Sequence, residues 1–247
     1  MADGHEIVLH TRGLSKEYGK GAALVRAVDN VDLDVARGES MAIMGPSGCG
    51  KSTLLHMLGG LEHPSGGELW LGGQRVDTLS ETALAKLRRH LIGFVFQGFH
   101  LIEELTAAEN VEMPALLAGA TPRAARRHAL QLLDQVGLAE RSKHLPSALS
   151  GGQRQRVATA RALIGQPLLV LADEPTGNLD SVATAGVLRL FDGLRTAGQT
   201  LVIVTHDPRI GTAADRLITM QDGAFVDQTR VTGGTTGNLG FLAGLEG

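Results

Sequence analysis

Gly45-Pro-Ser-Gly-Cys-Gly-Lys51-Ser52 places a cation and a hydroxyl at the end of a glycine-rich run. The pattern is G-x-x-x-x-G-K-[ST], whose glycines let successive backbone N–H groups close on an anion. A helix starting there adds the partial positive charge of its N-terminus. Gly45, Pro46, Ser47, Gly48, Cys49, Gly50, Lys51, Ser52 and Thr53 are therefore candidates to hold the phosphates of ATP. Lys51 is expected to reach the β- and γ-phosphates, and Ser52 to ligate Mg²⁺. The flanks fit this reading. Met41–Met44 is a short apolar strand and Thr53–Leu58 an apolar helix, whereas a chance glycine-rich turn has neither neighbour. Cys49 lies inside the loop. It reads as a small filler, and a thiol near a helix N-terminus also tends to ionise more easily. Alkylation there is expected to block ATP binding, and bound ATP to protect the thiol.

A second chemical feature is the apolar run Leu168–Ala172, which ends in Asp173 and Glu174. A charge at the tip of a buried strand is costly unless it is paired. Asp173 suits a Mg²⁺ site, and Glu174 suits a general base that polarises water. Alone, the pair would read as a solvated loop start; the phosphate loop upstream changes that balance. A third feature is Leu149-Ser-Gly-Gly-Gln-Arg-Gln-Arg156. Ser150 and Gln153 have capping-box spacing, which by itself signals an ordinary helix start. Gly151 and Gly152 weaken a first turn, which makes sense where something approaches the backbone closely.

These residues must be positioned by an α/β fold. Apolar runs alternate with helical patterns, which points to a mostly parallel sheet. Leu168–Ala172 and Thr200–Thr205 read as strands buried on both faces. Ile7–Leu14, Val28–Val35, Glu68–Leu71 and Arg216–Met220 read as more exposed, antiparallel strands. From Thr106 to Ile164 only helices are expected. Thr106 and Glu109 form a capping box opening a helix towards Leu117. Thr121-Pro122 caps a second helix, expected to run to Val136 and stop at Gly137. Residues from Thr232 onward, rich in glycine and threonine, read as a loose tail. His128 and His144 read as surface residues.

With these motifs in order, the chain from about Ile7 to Asp227 resembles the ABC ATPases, and the segment 149–156 resembles their signature. The resemblance implies a P-loop core with a mostly parallel central sheet, an antiparallel β subdomain and an inserted helical subdomain. Residues 1–231 would form one nucleotide-binding domain, with the helical part at about 98–164 and a flexible tail over 232–247. It also implies that Ser150, Gly151, Gly152 and Gln153 of one copy close on the γ-phosphate held by another, so that ATP joins two copies. Tyr18 matches the aromatic that stacks on adenine. Gln97 matches the glutamine that meets Mg²⁺ or water and senses a membrane partner. Asn178-Leu-Asp180 matches the loop that crosses between subunits, and His206 matches the histidine that contacts the γ-phosphate.

The strings Ala172–Ser181, Leu54–Leu61 and Gly98–Asn110 resemble the lipoprotein-release and macrolide-export branch (LolD/MacB type). That branch implies a separate permease at the cytoplasmic face of the plasma membrane. Phe99, Leu101 and Ile102 are expected to line the groove that receives a permease helix, with ordinary core as the alternative. A cell-division ATPase of the same branch is the competing reading. Soluble ABC ATPases of DNA repair or translation fit less well, since the chain has one cysteine and no heptad run.

Bulk properties agree. The 247 residues are 43% hydrophobic, enough for a large α/β domain. A net charge of −3 gives no basic field for nucleic acid. The single Cys49 excludes an internal disulfide and fits a reducing compartment. Met1–Glu6 lacks a signal peptide's apolar centre, and no stretch reaches the roughly 20 apolar residues that span a bilayer.

Overall fold

Alternation in the first two strands builds one sheet, and unbroken apolar runs build the other. The computed structural model describes residues 6–231, so the expected tail over 232–247 lies outside the described residues. In β1 (Ile7–Tyr18) and β2 (Val25–Ala36), Val31, Leu33 and Val35 point inward while Asp32 and Asp34 face water. The two strands pair antiparallel. β3 (Ser40–Met44) is buried over nearly its whole length and leads through the phosphate loop into α1 (Lys51–Leu58). β4 (Gly66–Leu71) and β5 (Gln74–Arg75) complete an antiparallel sheet in the order β2-β1-β4-β5.

α2 (Glu81–Leu91) runs directly into β6 (Ile92–Val95). Three longer helices follow with no strand between them: α3 (Ala107–Leu117), α4 (Pro122–Gln135) and α5 (Gly151–Leu163). The chain then alternates through β7 (Leu169–Asp173), α6 (Ser181–Thr196), β8 (Leu201–Thr205), α7 (Pro208–Ala213), β9 (Arg216–Gln221) and β10 (Ala224–Arg230). The second sheet has the order β10-β9-β3-β8-β7-β6, parallel throughout except for the β9–β10 hairpin.

The helix starts form as their caps dictate. Thr106 and Glu109 make the reciprocal capping box of α3, and the Thr121 side chain accepts from the Ala124 amide ahead of Pro122. α4 ends one residue earlier than expected, with Val136 as its C-cap and Gly137 at a φ of 70°. An apolar cluster of the helical segment, including Val111, Leu133 and Val157, is distinct from the two clusters on the faces of the parallel sheet.

Several expectations are corrected. β9 is not an exposed antiparallel strand. It pairs parallel with β3 inside the central sheet, with Ile218 and Met220 fully buried, and is antiparallel only to β10. The charged Arg216 and polar Gln221 at its ends disguised it; Arg216 is itself buried, and its Nε lies 2.7 Å from Glu39. β5, β6 and β10 were not anticipated. β1 runs on to Tyr18 because bulges at Thr11–Leu14 and beyond let it keep pairing with β2. His128 and His144, read as surface residues, are half-buried.

Candidate functional site

The loop 45–50 connects a buried strand tip to a helix N-terminus. Gly50 caps α1 with a φ of 102°, and a Cβ there would fall 2.0 Å from the Ala27 carbonyl oxygen. Glycine is therefore required by both conformation and space. Pro46, Ser47 and Gly48 are exposed, while Cys49 faces inward. Lys51 is only 7% exposed. Its Nζ donates to the carbonyls of Gly45 and Pro46, each at 2.9 Å, and lies 3.9 Å from Cys49 Sγ. The ammonium is thus held against the loop whose amides suit phosphate.

β7 lies one strand from β3 across β8, and brings its two carboxylates to the same end of the sheet. Ser52 Oγ donates to Asp173 Oδ1 at 2.9 Å. One turn along α1, His56 brings Nε2 to 3.8 Å from Asp173 Oδ2. Burial pushes the Asp173 carboxyl above the ordinary carboxylate range, helped by the charge of Glu174. The Ser52 donor, His56 and Lys51 pull the other way and do not cancel it. A serine hydroxyl and a carboxylate that resists ionisation without a cation form a hard oxygen set, which fits Mg²⁺.

Glu174 has a left-handed backbone, with φ of 44°. This is uncommon for a residue with a side chain, and such strain gathers at functional sites. The conformation is held by the Glu174 amide, which donates to Val204 O at 2.9 Å, and by the Gly177 amide, which donates to Glu174 O at 3.0 Å. The side chain consequently turns towards β8. Glu174 Oε2 lies 2.9 Å from His206 Nδ1 and 3.3 Å from the His206 amide. The two adjacent carboxylates therefore have separate partners, one on the phosphate-loop helix and one just past the end of β8.

The other expected residues divide into two groups. Tyr18, at the end of β1, is 41% exposed. Its hydroxyl donates to Glu62 at 2.6 Å, and Lys16 Nζ sits 5.2 Å from the ring centroid. Gln97 is exposed past the end of β6. Its Nε2 donates to Asn178 Oδ1 at 3.2 Å, and Asn178 Nδ2 donates back to Gln97 O at 3.2 Å. Gln97 is thus tied to the 178–180 loop rather than bonded to Ser52 or Asp173. Asp180 was expected at the nucleotide; in this chain its Oδ1 accepts from the Ala183 amide at 2.8 Å and caps α6.

Ser150 and Gln153 make the capping box of α5, with the Gln153 amide donating to Ser150 Oγ at 3.3 Å and Ser150 N donating to Gln153 Oε1 at 2.9 Å. A Cβ on Gly152 would meet the Cβ of Ala183 at 2.7 Å, so this glycine also serves the packing of α5 on α6. Gly151 is roomier, its nearest neighbour being Leu179 Cδ2 at 3.3 Å. Among the described residues, no hydrogen bond joins 150–153 to the phosphate loop.

None of Phe99, Leu101 and Ile102 lines the cleft that opens next to Phe96. Leu101 packs into the helical apolar cluster, Phe99 lies 5.1 Å below the Arg154 guanidinium, and Ile102 is simply exposed. The groove instead runs between α2, β6 and the end of α5, with Phe94, Phe96, His100, Pro114 and the basic Arg88–His90 stretch on its walls. Two residues at the site were not singled out from sequence. His56 could have been found from its four-residue spacing to Ser52, which stacks both on one helix face. Arg161 could not. It is half-buried and donates to the carbonyls of Phe99 and His100, which both have positive φ.

A phosphate loop, a carboxylate pair at the tip of a strand two places along the sheet and a histidine just past the end of the strand between them define a P-loop ATPase. Residues 28–177 match the family model described as ABC transporter. The chain is 48% identical over 224 residues to the lipoprotein-releasing system ATP-binding protein LolD of Xanthomonas campestris pv. campestris, covering 90% of this chain and 94% of that one. It is 45% identical over 230 residues to the macrolide export ATP-binding/permease protein MacB 1/2 of Paracoccus denitrificans, covering 93% of this chain and 34% of that protein. The chain therefore spans about a third of the length of the macrolide-export relatives it matches. A solved structure of the ATP-binding cassette MJ0796, described as a dimeric post-hydrolysis state bound to ADP and Pi, superposes with a TM-score of 0.84 at 39% identity, covering 91% of this chain and 99% of that one. The chain belongs to the ABC transporter family and carries its ATP-binding, ATP-hydrolysing cassette. These relatives give no support to the cell-division alternative.

Proposed function

We propose that the chain is the ATP-hydrolysing subunit of a lipoprotein-release or macrolide-export type complex, acting as a homodimer on a separate membrane permease. The observation that carries this reading is the separation of the two carboxylates: Asp173 on Ser52 at 2.9 Å and Glu174 on His206 at 2.9 Å. One is placed for a cation, the other for a water.

Lys51 turns from its loop carbonyls to the β- and γ-phosphates, and the backbone amides of 45–53, all but that of Pro46, which has no N–H, take the remaining oxygens. Ser52 and Asp173 would hold Mg²⁺, with Gln97 joining after leaving Asn178; the cation neutralises charge on the phosphates. Tyr18 stacks on adenine. Water attacks the γ-phosphorus and the β–γ bridge breaks, leaving ADP and phosphate. Glu174 Oε2 is held by His206, so Oε1 accepts the proton from that water. His206, with a largely exposed side chain, also reaches the γ-phosphate. Ser150, Gly151, Gly152 and Gln153 of a second copy supply another helix N-terminus to the same phosphate, and Asp180 reaches across between the copies. Fixed donors and charges then supply most of the rate.

Residues 1–231 act as one nucleotide-binding domain with 98–164 as its helical insert. The groove beside Gln97 receives a permease segment at the cytoplasmic face of the plasma membrane. Because Gln97 and the helical segment are contiguous, movement of that segment reaches the nucleotide. The name LolD supports a subunit separate from its permease, and among the described residues no helix is long and apolar enough to cross a membrane. Glu174→Gln tests the chemical step: steady-state ATPase is expected to fall at least about 100-fold, the lower range for a general base, while ATP binding persists. Turnover near the wild-type rate would remove Glu174 from the mechanism.

A further inference from the structure

α4 opens with arginines where a helix N-terminus favours carboxylates. Its first turn contains no acidic residue, and Arg123, Arg126 and Arg127 fall in its first two turns. Arg126 is answered by Glu112 at 3.5 Å and acts on Glu109. Arg123 and Arg127, four residues apart on one face, are exposed and make no ion pair among the described residues. With Leu130 and Gln131 they rim a shallow hollow of 550 Å³, in which Asp134 is the one acidic side chain. The same hairpin exposes three large apolar side chains: Leu116 at 39%, Leu117 at 61% and Leu130 at 39%. In a chain of net charge −3, this corner combines two cations unanswered by carboxylates, which a helix N-terminus disfavours, with exposed leucines of the kind that mark an interaction surface.

We propose that the α3–α4 hairpin rests on anionic phospholipid headgroups, Arg123 and Arg127 pairing with phosphates and Leu117 and Leu130 entering the interfacial layer. Guanidinium groups match phosphate in paired hydrogen bonds, and mixed arginine–leucine faces lie in the plane of a bilayer surface. A shallow, open hollow suits a fluid surface better than a protein segment, which needs a shaped groove. Pro114, on the same helix as Leu117, lines the groove assigned above to the permease, so this corner continues that face towards the bilayer. The inference rests on the membrane-docked reading for its geometry. The charge and apolar exposure it uses stand independently of ATP hydrolysis.

The test is co-sedimentation of the full chain with phosphatidylcholine vesicles made with and without phosphatidylglycerol. Binding is expected only with phosphatidylglycerol, weakening as salt rises. In Arg123→Gln/Arg127→Gln it should weaken roughly thirtyfold, the value of two charges at an anionic surface. Leu117→Ser should also weaken it. All variants should keep wild-type ATPase in solution, which separates this inference from the nucleotide site. Equal sedimentation with neutral vesicles, or undiminished binding by the double variant, would overturn it. So would retention on immobilised polyglutamate without any vesicle binding, which would mark the face as a site for an acidic protein.

Discussion

Asp173 and Glu174 are neighbours in sequence and face opposite problems. Asp173 is held in a buried setting that raises its pKa, burial being the largest cause. A carboxyl bound more tightly to its proton in the folded state stabilises the fold below its unfolded pKa, and loses that contribution as pH rises through the folded value. At neutral pH the ionised Asp173 therefore works against the fold. Asp173→Asn is expected to raise Tm near pH 7 by a few degrees without Mg-ATP, at about 2–4 °C for each kcal/mol relieved in a chain of this size. The gain should shrink below about pH 4, where the wild-type group is protonated. Scanning calorimetry across that range checks it, and an unchanged or lowered Tm at pH 7 would contradict the assignment. Cys49 belongs to the same scale. The residue is 6% exposed and its Sγ lies 3.9 Å from Lys51 Nζ, inside the loop that would close on phosphate. Alkylation is expected to be slow, to abolish nucleotide binding once complete, and to be slowed further by ATP. Mass spectrometry with a fluorescent-nucleotide titration measures both, and full ATPase after stoichiometric alkylation would refute the prediction.

At the scale of elements, caps were legible because they are local. Thr106 and Ser150 announced their helices through residues three positions away, Thr121 through the proline that follows it, and each cap formed. β3, β7 and β8 were legible because strands buried on both faces read as unbroken apolar runs. β6 was not: Ile92-Gly-Phe-Val95 follows Leu91 of α2 without a turn, and tertiary pairing with β7 decides where the helix ends. The Ser52–Asp173 contact spans 121 residues, a separation no spacing rule encodes; it follows from the strand order. The two glycines of α5 have distinct tasks, and substitution separates them. Gly152→Ala pushes a Cβ to 2.7 Å from Ala183, forcing α5 from α6. It should cost about 1–3 kcal/mol in urea unfolding, typical of overpacking. Gly151→Ala meets only the end of the Leu179 side chain, at 3.3 Å, which has to shift by a few tenths of an ångström, so its stability should stay within about 0.5 kcal/mol, as at surface sites. Its ATPase should still fall at least tenfold, if the phosphate held by a second copy must approach that backbone. An active Gly151→Ala enzyme would speak against the shared site.

For the whole molecule, the capped glycine helix and the phosphate loop form no bond with each other within the chain. In the proposed homodimer each is half of an anion site. Two copies arranged head to tail would complete both halves twice, with ATP as the bridging ligand. A ligand bound only by the dimer shifts association towards it by mass action, and hydrolysis reverses the shift. Glu174→Gln removes the reversal while leaving the binding groups in place. The decisive measurement is light scattering coupled to size exclusion on Glu174→Gln, with and without Mg-ATP. The account predicts a monomer of 25.9 kDa without nucleotide and a species of twice that mass with it. A monomer in both conditions, with ATP demonstrably bound, would contradict the pairing of Ser150–Gln153 with the phosphate loop of a second copy.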